Sequence, residues 1–516
     1  MSILQAGSTC WRTEIAPDAA VLVDMQAYLL AAKAAMLNAV HTIHFLNWAF
    51  DPDTVLDHET DDGGVAPQTI GAFLRALSEQ KPGLDIRILC WKSPLPVAAT
   101  QRFFPLRSRR FFAGTRIDFR LDATLPAGAS HHQKVVVVDD VVAFCGSCDI
   151  GPDRWDTPEH AHPDPRRAKT ARGHGCYDCR HEVMAMVNGA AASCLGDLFR
   201  DRWTRATGET LAGVGGGTPP VWVAGAPSDF SGILVGVSRT QAPWKGFEEI
   251  REGEAALLAA IASARHTLYL ENQYYTSPLV AEALAQRLQE SAGPEVVLVS
   301  TRHSPSWFDR MTMDKTRSRF LKRLEDADRH GRFRAYSPAT RNGQVIIVHA
   351  KLAIADNRYI RIGSSNVNNR SEGFDSECDL TLDAGPGTGP AQGAVAGFRH
   401  RLVAHWLGCP TAVVSAAEAE TGRLGDGIET LRNAGYTRLE PLRSDRHGAL
   451  ARFIADYHLG DPISAADSLR PWRRRAQMRH KLAAAVHRLQ RAEMPAVEVP
   501  LNGPIDVSEP VSAAQV

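Results

Sequence analysis

Helix-type and strand-type hydrophobic patterns run along this chain twice, in the same order. Met25 to Val40 carries apolar residues at helical spacing and leads into His41-Thr-Ile-His-Phe-Leu-Asn-Trp-Ala-Phe50, which is rich in strand formers. Glu254 to Ala264 leads in the same way into His266-Thr-Leu-Tyr-Leu-Glu-Asn-Gln-Tyr-Tyr275. Each pair predicts a helix feeding a strand. Ile86 to Trp91 and Val296 to Ser300 predict the next strand of each set. Val135 to Val138 and Leu352 to Ala355 predict a further, buried strand in each. Two helical stretches with related ends, Phe199-Arg-Asp-Arg-Trp203 and Arg401-Leu-Val-Ala-His-Trp406, close the two sets. The repeat implies an α/β fold of two α-β-α halves.

The repeat divides the chain into a first half over 1–210, a linker over 211–250, a second half over 251–410 and a C-terminal region over 411–516. The linker assignment rests on Leu211-Ala-Gly-Val-Gly-Gly-Gly-Thr-Pro-Pro220. That cluster lacks the Gly-Lys-Ser/Thr ending of a phosphate loop. In the C-terminal region, Ala416 to Ala434, Ala451 to Tyr457 and Leu482 to Ala492 carry helical patterns, and the last twenty or so residues have the composition of a disordered tail. The apolar stretch from Ala19 to Val40 is interrupted by Asp24 and Lys33, so it predicts a packed helix and not a membrane span. No secretory signal pattern is present, which points to a cytoplasmic protein or one exported without a leader.

The two strands that follow the repeated pattern are entered by the same motif. The first is His132-Gln-Lys134-Val-Val-Val-Val-Asp139, then six residues, then Gly146-Ser-Cys-Asp149. The second is His349-Ala-Lys351-Leu-Ala-Ile-Ala-Asp356, then six residues, then Gly363-Ser-Ser-Asn366. Residues two apart on a strand share a face, so His132 projects with Lys134 and His349 with Lys351. Asp139 and Asp356 are an odd number of positions away and face the other side. They are expected to bond backbone at the strand end. Two His–Lys pairs related by a pseudo-twofold can converge on one site, and such a site suits a phosphodiester. Ammonium groups neutralise phosphate oxygens. One imidazole can attack phosphorus while the other moves a proton. The Gly-Ser turns and Asn366 offer further donors to phosphate. This chemistry requires no metal and no cofactor.

Composition adds limits. Lys plus Arg and Asp plus Glu number 58 each, so no global charge draws the protein to nucleic acid or anionic lipid. Nine cysteines are too few, and odd in number, for a full disulfide framework. Cys145-x2-Cys148 and Cys176-x2-Cys179 have zinc-ribbon form. However, Cys145 ends an apolar run, and a buried strand residue is the preferred reading. Two segments are candidates for membrane contact. One is Gln101 to Arg120, with six arginines among Phe103, Phe104, Phe111, Phe112 and Phe119, for which a solvated loop with some core phenylalanines is the favoured alternative. The other is Ser306-Trp-Phe308 with the basic residues after it.

With its paired motifs, the chain resembles the phospholipase D superfamily over residues 20–410. Tyr269-Leu-Glu-Asn-Gln-Tyr-Tyr-Thr276, Asp153-Arg-Trp-Asp-Thr157, His181-Glu182-Val183, Arg370-Ser371 and Asp375-Ser-Glu377 are similar to segments of the eukaryotic-type enzymes. The resemblance implies one active site shared by both halves and a phosphohistidine intermediate. It implies His132 as nucleophile and His349 as the acid that then activates water. Lys134, Lys351 and Asn366 would hold phosphate, and Glu377 and Glu182 would orient the imidazoles. The implied partner is a phospholipid such as phosphatidylcholine at a membrane surface, met by a monomer, with no nucleic acid. Transfer to an alcohol is implied as well as hydrolysis. The alternatives are a cardiolipin-synthase-like transferase, a nuclease on the same fold, and a non-enzymatic lipid-binding scaffold. This chain departs from the pattern at Asp149, the counterpart of Asn366, in a shorter span from Asn366 to Glu377, and over Pro158 to Gly175. It shows no calcium- or phosphoinositide-binding domain of the kind plant or animal relatives append, so control by either is not expected.

Overall fold

A computed structural model describes residues 2–58, 69–94, 104–167, 175–215 and 222–444, with short pieces between 453 and 483. Its strands in chain order are β1 (Arg12–Val23), β2 (Thr42–Asn47), β3 (Asp85–Trp91), β4 (Asp118–Asp122), β5 (Val135–Val138), β6 (Val142–Gly146), β7 (Arg180–His181), β8 (Val183–Asn188) and β9 (Phe230–Gln241). There follow β10 (Ile250–Arg251), β11 (Thr267–Asn272), β12 (Glu295–Val299), β13 (Phe333–Pro338), β14 (Ile347–Val348), β15 (Lys351–Ala355), β16 (Tyr359–Gly363), β17 (Glu377–Asp383) and β18 (Leu439–Pro441).

One sheet runs through the whole molecule in the order β18-β13-β12-β11-β15-β16-β17-β9-β1-β8-β6-β5-β2-β3-β4. Read outward from the β9–β1 seam, the two sides match strand for strand, except that β18 is added at the outer edge of the second half. On each side the three outer strands of the repeat are parallel, and the rest are antiparallel. The duplicated α/β fold is therefore one continuous sheet with a pseudo-twofold at its middle.

Side-chain alternation along the motif strands builds the layers. Val135 and Val137 join Leu352 and Ile354 in a core on one face, roofed by helices Ala190–Thr207 and Pro390–Leu407. Trp203 and Trp406, the aromatic ends of the two repeats, are fully buried there. On the other face each half has its own core. Val136 and Val138 pack with helices Asp24–Leu37 and Ile70–Gln80, while Ala353 and Ala355 pack with helices Glu252–Ser263 and Pro278–Gln289.

Several expectations are corrected. The helix expected from Ala19 begins only at Asp24, and Ala19–Val23 is the end of β1, paired with β8. Phe230–Gln241 lies within the expected linker over 211–250 but is a sheet strand that pairs with both β1 and β17. Its Ile233, Val235 and Val237 alternate into the shared core, which is the reason it is a strand. The region after residue 410 is not separate. Helices Thr411–Thr421 and Leu424–Asn433 break at Gly422 (φ 74°), and β18 then pairs with β13. The tail, nearly all of the helices expected near 451–457 and 482–492, and the Gly/Pro cluster from 216 to 220 lie outside the described residues.

Within the Arg- and Phe-rich segment, Phe111, Phe112 and Phe119 belong to the first-half core. This supports core phenylalanines over a membrane surface, and Phe103 lies outside the described residues. The four cysteines do not converge. Cys145 faces Cys378 at 3.6 Å, Cys148 is a core residue, and Cys176 and Cys179 donate to the carbonyls of Asp164 and His160. No helix among the described residues is long and apolar enough to cross a membrane.

Candidate active site

Each motif histidine is held by a glutamate of the other half. His132 Nδ1 lies 2.8 and 3.0 Å from the two oxygens of Glu377. His349 Nδ1 lies 2.8 Å from Glu182 Oε2. The backbone makes the same exchange. The His132 N–H donates to Ser376 O, the residue before Glu377, and the His349 N–H donates to His181 O, the residue before Glu182. The short strands β14 and β7 extend the second crossing.

The Gly-Ser turns of the motifs serve these glutamates. Ser147 Oγ donates to Glu182 at 2.6 Å and Ser364 Oγ to Glu377 at 2.5 Å, while each hydroxyl accepts the N–H of the residue after that glutamate. Such close approach needs the glycines. A Cβ at Gly146 would sit 2.4 Å from Val183 O, and one at Gly363 would overlap Asp379. The serines thus support carboxylates, a correction to their expected place as phosphate donors. Ser371 gives Glu377 a further hydroxyl at 2.6 Å, and Arg370 pairs with Asp375 at 2.7 Å to hold that turn.

Both lysines act on both imidazoles, which makes this one site. Burial together with Lys134 and Lys351 holds His132 well below its ordinary pKa. Burial, Lys351, Arg180, Arg154 and Lys134 do the same to His349. Both rings are therefore neutral near neutral pH. With Nδ1 engaged, Nε2 is the nitrogen each ring offers to a substrate. Burial pushes Glu377 and Glu182 above the usual carboxylate range. Lys134 and the hydroxyls of Ser364 and Ser371 oppose this at Glu377, as do Arg180, Arg154 and Lys351 at Glu182.

The halves differ at the lysines. Lys134 pairs with Asp149 at 3.3 Å, and Asp149 also accepts the N–H groups of Trp48 and Ala49. Burial opposes ionisation of Asp149, yet Lys134, Arg154 and His132 hold its pKa below the ordinary value. This is the role of the departure at residue 149: the anion faces a lysine. In the second half the counterpart is neutral Asn366, whose buried Oδ1 has no hydrogen-bond partner among the described residues. Among the described residues no carboxylate lies within ion-pair reach of Lys351. Burial first, and then the neighbouring cations against the pull of Glu182, lower its pKa to about 7.

Arg154 and Arg180 had no place in the sequence reading of the site. Their guanidinium groups lie 3.7 and 3.9 Å from Glu182 Oε1. The signal for Arg180 was present, because it stands two residues before Glu182 and shares its face.

Asp139 and Asp356 lie at the far ends of the motif strands from the histidines. Asp139 accepts the N–H groups of Val40, His41 and Thr42 at 2.6–2.7 Å. Asp356 accepts those of Arg265, His266 and Thr267 at 2.8–2.9 Å. Each carboxylate thus fastens the helix-to-strand junction of its own half. Asp139→Asn turns one oxygen into a donor facing donors. We expect a loss of about 2–3 kcal/mol in urea unfolding, with kcat of the folded fraction little changed. A stable but inactive variant would place Asp139 in the chemistry instead.

Residues 35–215 match the family model described as phospholipase D. Residues 257–388 match that described as cardiolipin synthase, PLD-like domain. The chain belongs to the phospholipase D superfamily, with eukaryotic phospholipases D among its relatives. It is 24% identical over 442 residues to phospholipase D alpha 4 of Arabidopsis thaliana, a match covering 65% of this chain and 58% of that protein. Phospholipase D1 of Saccharomyces cerevisiae is 23% identical over 538 residues, covering 82% and 30%. Cardiolipin synthase A of Serratia proteamaculans is 27% identical over 255 residues, covering 49% and 44%. The chain thus spans less than two thirds of the length of each of these relatives. Its fold is similar to that of phosphatidylserine synthase from Haemophilus influenzae Rd KW20, with TM-score 0.51 and 12% identity over 88% of this chain and 93% of that one.

Proposed function

We propose that the protein is a phospholipase D that hydrolyses phosphatidylcholine or a similar phospholipid to phosphatidate and the free headgroup alcohol. The observation that carries this reading is the pair of reciprocally braced histidines among Lys134, Lys351, Arg154 and Arg180. In the first step the lone pair on His132 Nε2 forms a bond to phosphorus and the bond to the headgroup oxygen breaks. That oxygen takes a proton from His349 Nε2. In the second step water attacks phosphorus, His349 recovers a proton from it, and the P–N bond breaks to release phosphatidate. An alcohol in place of water yields the phosphatidyl-alcohol. A bound phosphodiester anion offsets the surrounding cations and so favours the proton that His349 must carry.

A membrane supplies this substrate, and Trp307 suits the contact. It is 75% exposed. It stands two residues before Asp309, which accepts from Tyr274 Oη, and Tyr274 lies within electrostatic reach of Arg180 at the site. An exposed indole is the side chain that partitions into a membrane interface.

The deciding assay offers phosphatidylcholine vesicles in the presence of ethanol and measures choline and phosphatidylethanol. Both products are expected. Neither product, together with cleavage of single-stranded DNA, would replace this reading with a nuclease.

The rate should also follow the proton on Lys351. Its ammonium is the active form and its folded-state pKa is lowered to about 7, so kcat/KM of the free enzyme should fall as pH rises through that value. The matching limb in kcat should lie higher, because bound phosphate favours the ammonium. Initial rates on a soluble short-chain substrate across pH test this. A kcat/KM profile that stays flat well above neutrality contradicts it.

A further inference from the structure

Beside the active site, and outside its chemistry, three histidines and an aspartate from four separate segments meet in the interior. Asp24 begins helix Asp24–Leu37, His160 lies in the loop after β6, His181 is on β7, and His405 is on helix Pro390–Leu407 of the second half. One ligand atom from each lies within 4.8 Å of all the others. Asp24, His160 and His181 are buried and His405 is partly so.

The outer nitrogens of two of these rings are engaged. His160 Nδ1 lies 2.8 Å from Asp156 Oδ2, and His181 Nε2 lies 2.8 Å from Glu271 Oε2. Glu271 is itself fixed by Tyr269 Oη at 2.5 Å and by Trp406 Nε1 at 2.7 Å. A carboxylate behind an imidazole places the ring proton on the outer nitrogen, so the inner nitrogen presents a lone pair. His160 Nε2 and His181 Nδ1 are those inner nitrogens. His160 Nε2 faces His405 Nε2 at 3.1 Å and lies 3.7 Å from Asp24 Oδ2. His181 Nδ1 is 3.1 Å from Asp24 Oδ1 without hydrogen-bond geometry. Both His181 Nδ1 and Asp24 Oδ2 are buried, and among the described residues neither has a partner in hydrogen-bond geometry. Acceptors thus converge where donors are scarce, in a place where burial makes each unpaired polar atom costly.

We propose that Asp24, His160, His181 and His405 bind one divalent metal ion of the zinc class, as a structural clamp between the halves. Three imidazoles and a carboxylate are a zinc-type donor set. A tetrahedral ion with bonds of 2.0–2.1 Å requires ligand atoms about 3.3 Å apart; three contacts of the group already lie at 3.1 to 3.7 Å, two of them to different oxygens of Asp24, and the set as a whole, within 4.8 Å, would draw in on the ion. Four protein ligands leave no open position, so the ion takes no part in the phosphodiester chemistry. Its influence on that chemistry is positional. The Asp24 N–H donates to Glu182 O, and the Glu182 N–H reaches Asp24 Oδ1 at 3.2 Å. Glu182 in turn holds His349. The clamp therefore ties helix Pro390–Leu407 to the residue that orients a histidine of the site.

The metal-free alternative is an imidazolium at His181 between Asp24 and Glu271. The test is the metal content of the full chain, expressed with zinc and dialysed in buffer without chelator, measured by inductively coupled plasma mass spectrometry. About one equivalent per chain is expected. Replacement by Co2+ should give the visible ligand-field bands of a tetrahedral ion, and 1,10-phenanthroline should lower Tm. His405→Ala, at the least buried ligand, should reduce the content at least tenfold. A control variant, Cys176→Ser, should leave it unchanged. Wild-type protein with under a tenth of an equivalent and no cobalt bands overturns the proposal, whatever the variants do. Stoichiometric metal retained by His405→Ala overturns this ligand set. Neither readout depends on phospholipase activity.

Discussion

His132→Ala and His349→Ala should each lower turnover of a natural phospholipid by at least about 10⁴-fold, but they should part company on a substrate whose leaving group needs no proton. With a phosphatidyl ester of p-nitrophenol, His349→Ala retains the nucleophile and no longer lacks anything essential for the first step. It should release about one equivalent of p-nitrophenolate per chain in a burst and then stall. The stalled protein should carry the phosphatidyl group on His132, visible as added mass in the intact chain. His132→Ala should show no burst with either leaving group. The opposite pattern would exchange the two roles while leaving the site intact.

Glu377→Gln should lower kcat by about 10²–10⁴-fold, because an amide in place of the carboxylate favours the wrong tautomer of the histidine it holds. His132 Nδ1 sits against both oxygens of Glu377, and Ser364 and Ser371 hold those oxygens in place. The variant keeps the shape of the network, so circular dichroism should show a folded protein. Glu182→Gln should cost a similar factor on a natural lipid, but its deficit should shrink with the p-nitrophenyl ester, since it acts on the acid. The deficit of Glu377→Gln should persist there, since it acts on the nucleophile. Equal losses on both substrates in both variants would argue for a general disturbance of the site.

Much of this site is local in sequence, and that part is legible there. Strand parity places His132 with Lys134 and turns Asp139 away. The doubled spacing brings in the second half with the same geometry. Other parts are set by pairings across hundreds of positions, and no window of sequence contains them. The exchange of Glu377 and Glu182 between halves follows from β17 and β8 taking equivalent positions on either side of the β9–β1 seam. The resemblance to known enzymes pointed to these glutamates, but not to which histidine each would hold. β1 and β9 themselves were hard to see. In β1 the apolar run Ala19–Val23 continues directly into a helix of similar character, with only Asp24, at φ 67°, to mark the change. β9 carries Gly232 and Gly236 and adjoins a Gly/Pro cluster, which masks the alternation of Ile233, Val235 and Val237. The paired Cys-x2-Cys spacings do not mark a cluster, in keeping with the reading of Cys145 as a buried strand residue. The convergent group in this structure is assembled from His160, His181, His405 and Asp24, whose positions in the sequence share no spacing at all.

The exchange of glutamates has a historical reading. A surface on which residue i of one copy meets residue j of the other, and j meets i, is the signature of an isologous dimer. Here the two copies are one chain, and the seam of a continuous sheet stands where a dimer interface would lie. In a true homodimer, a change at one position alters both sides of the site at once. Fusion removes that constraint. Asp149 and Asn366 occupy equivalent positions of the two motifs and differ, one an anion paired with its lysine and the other a neutral amide. Within one chain the two half-sites are free to differ, which is what a division of labour between the two imidazoles, as proposed above, requires.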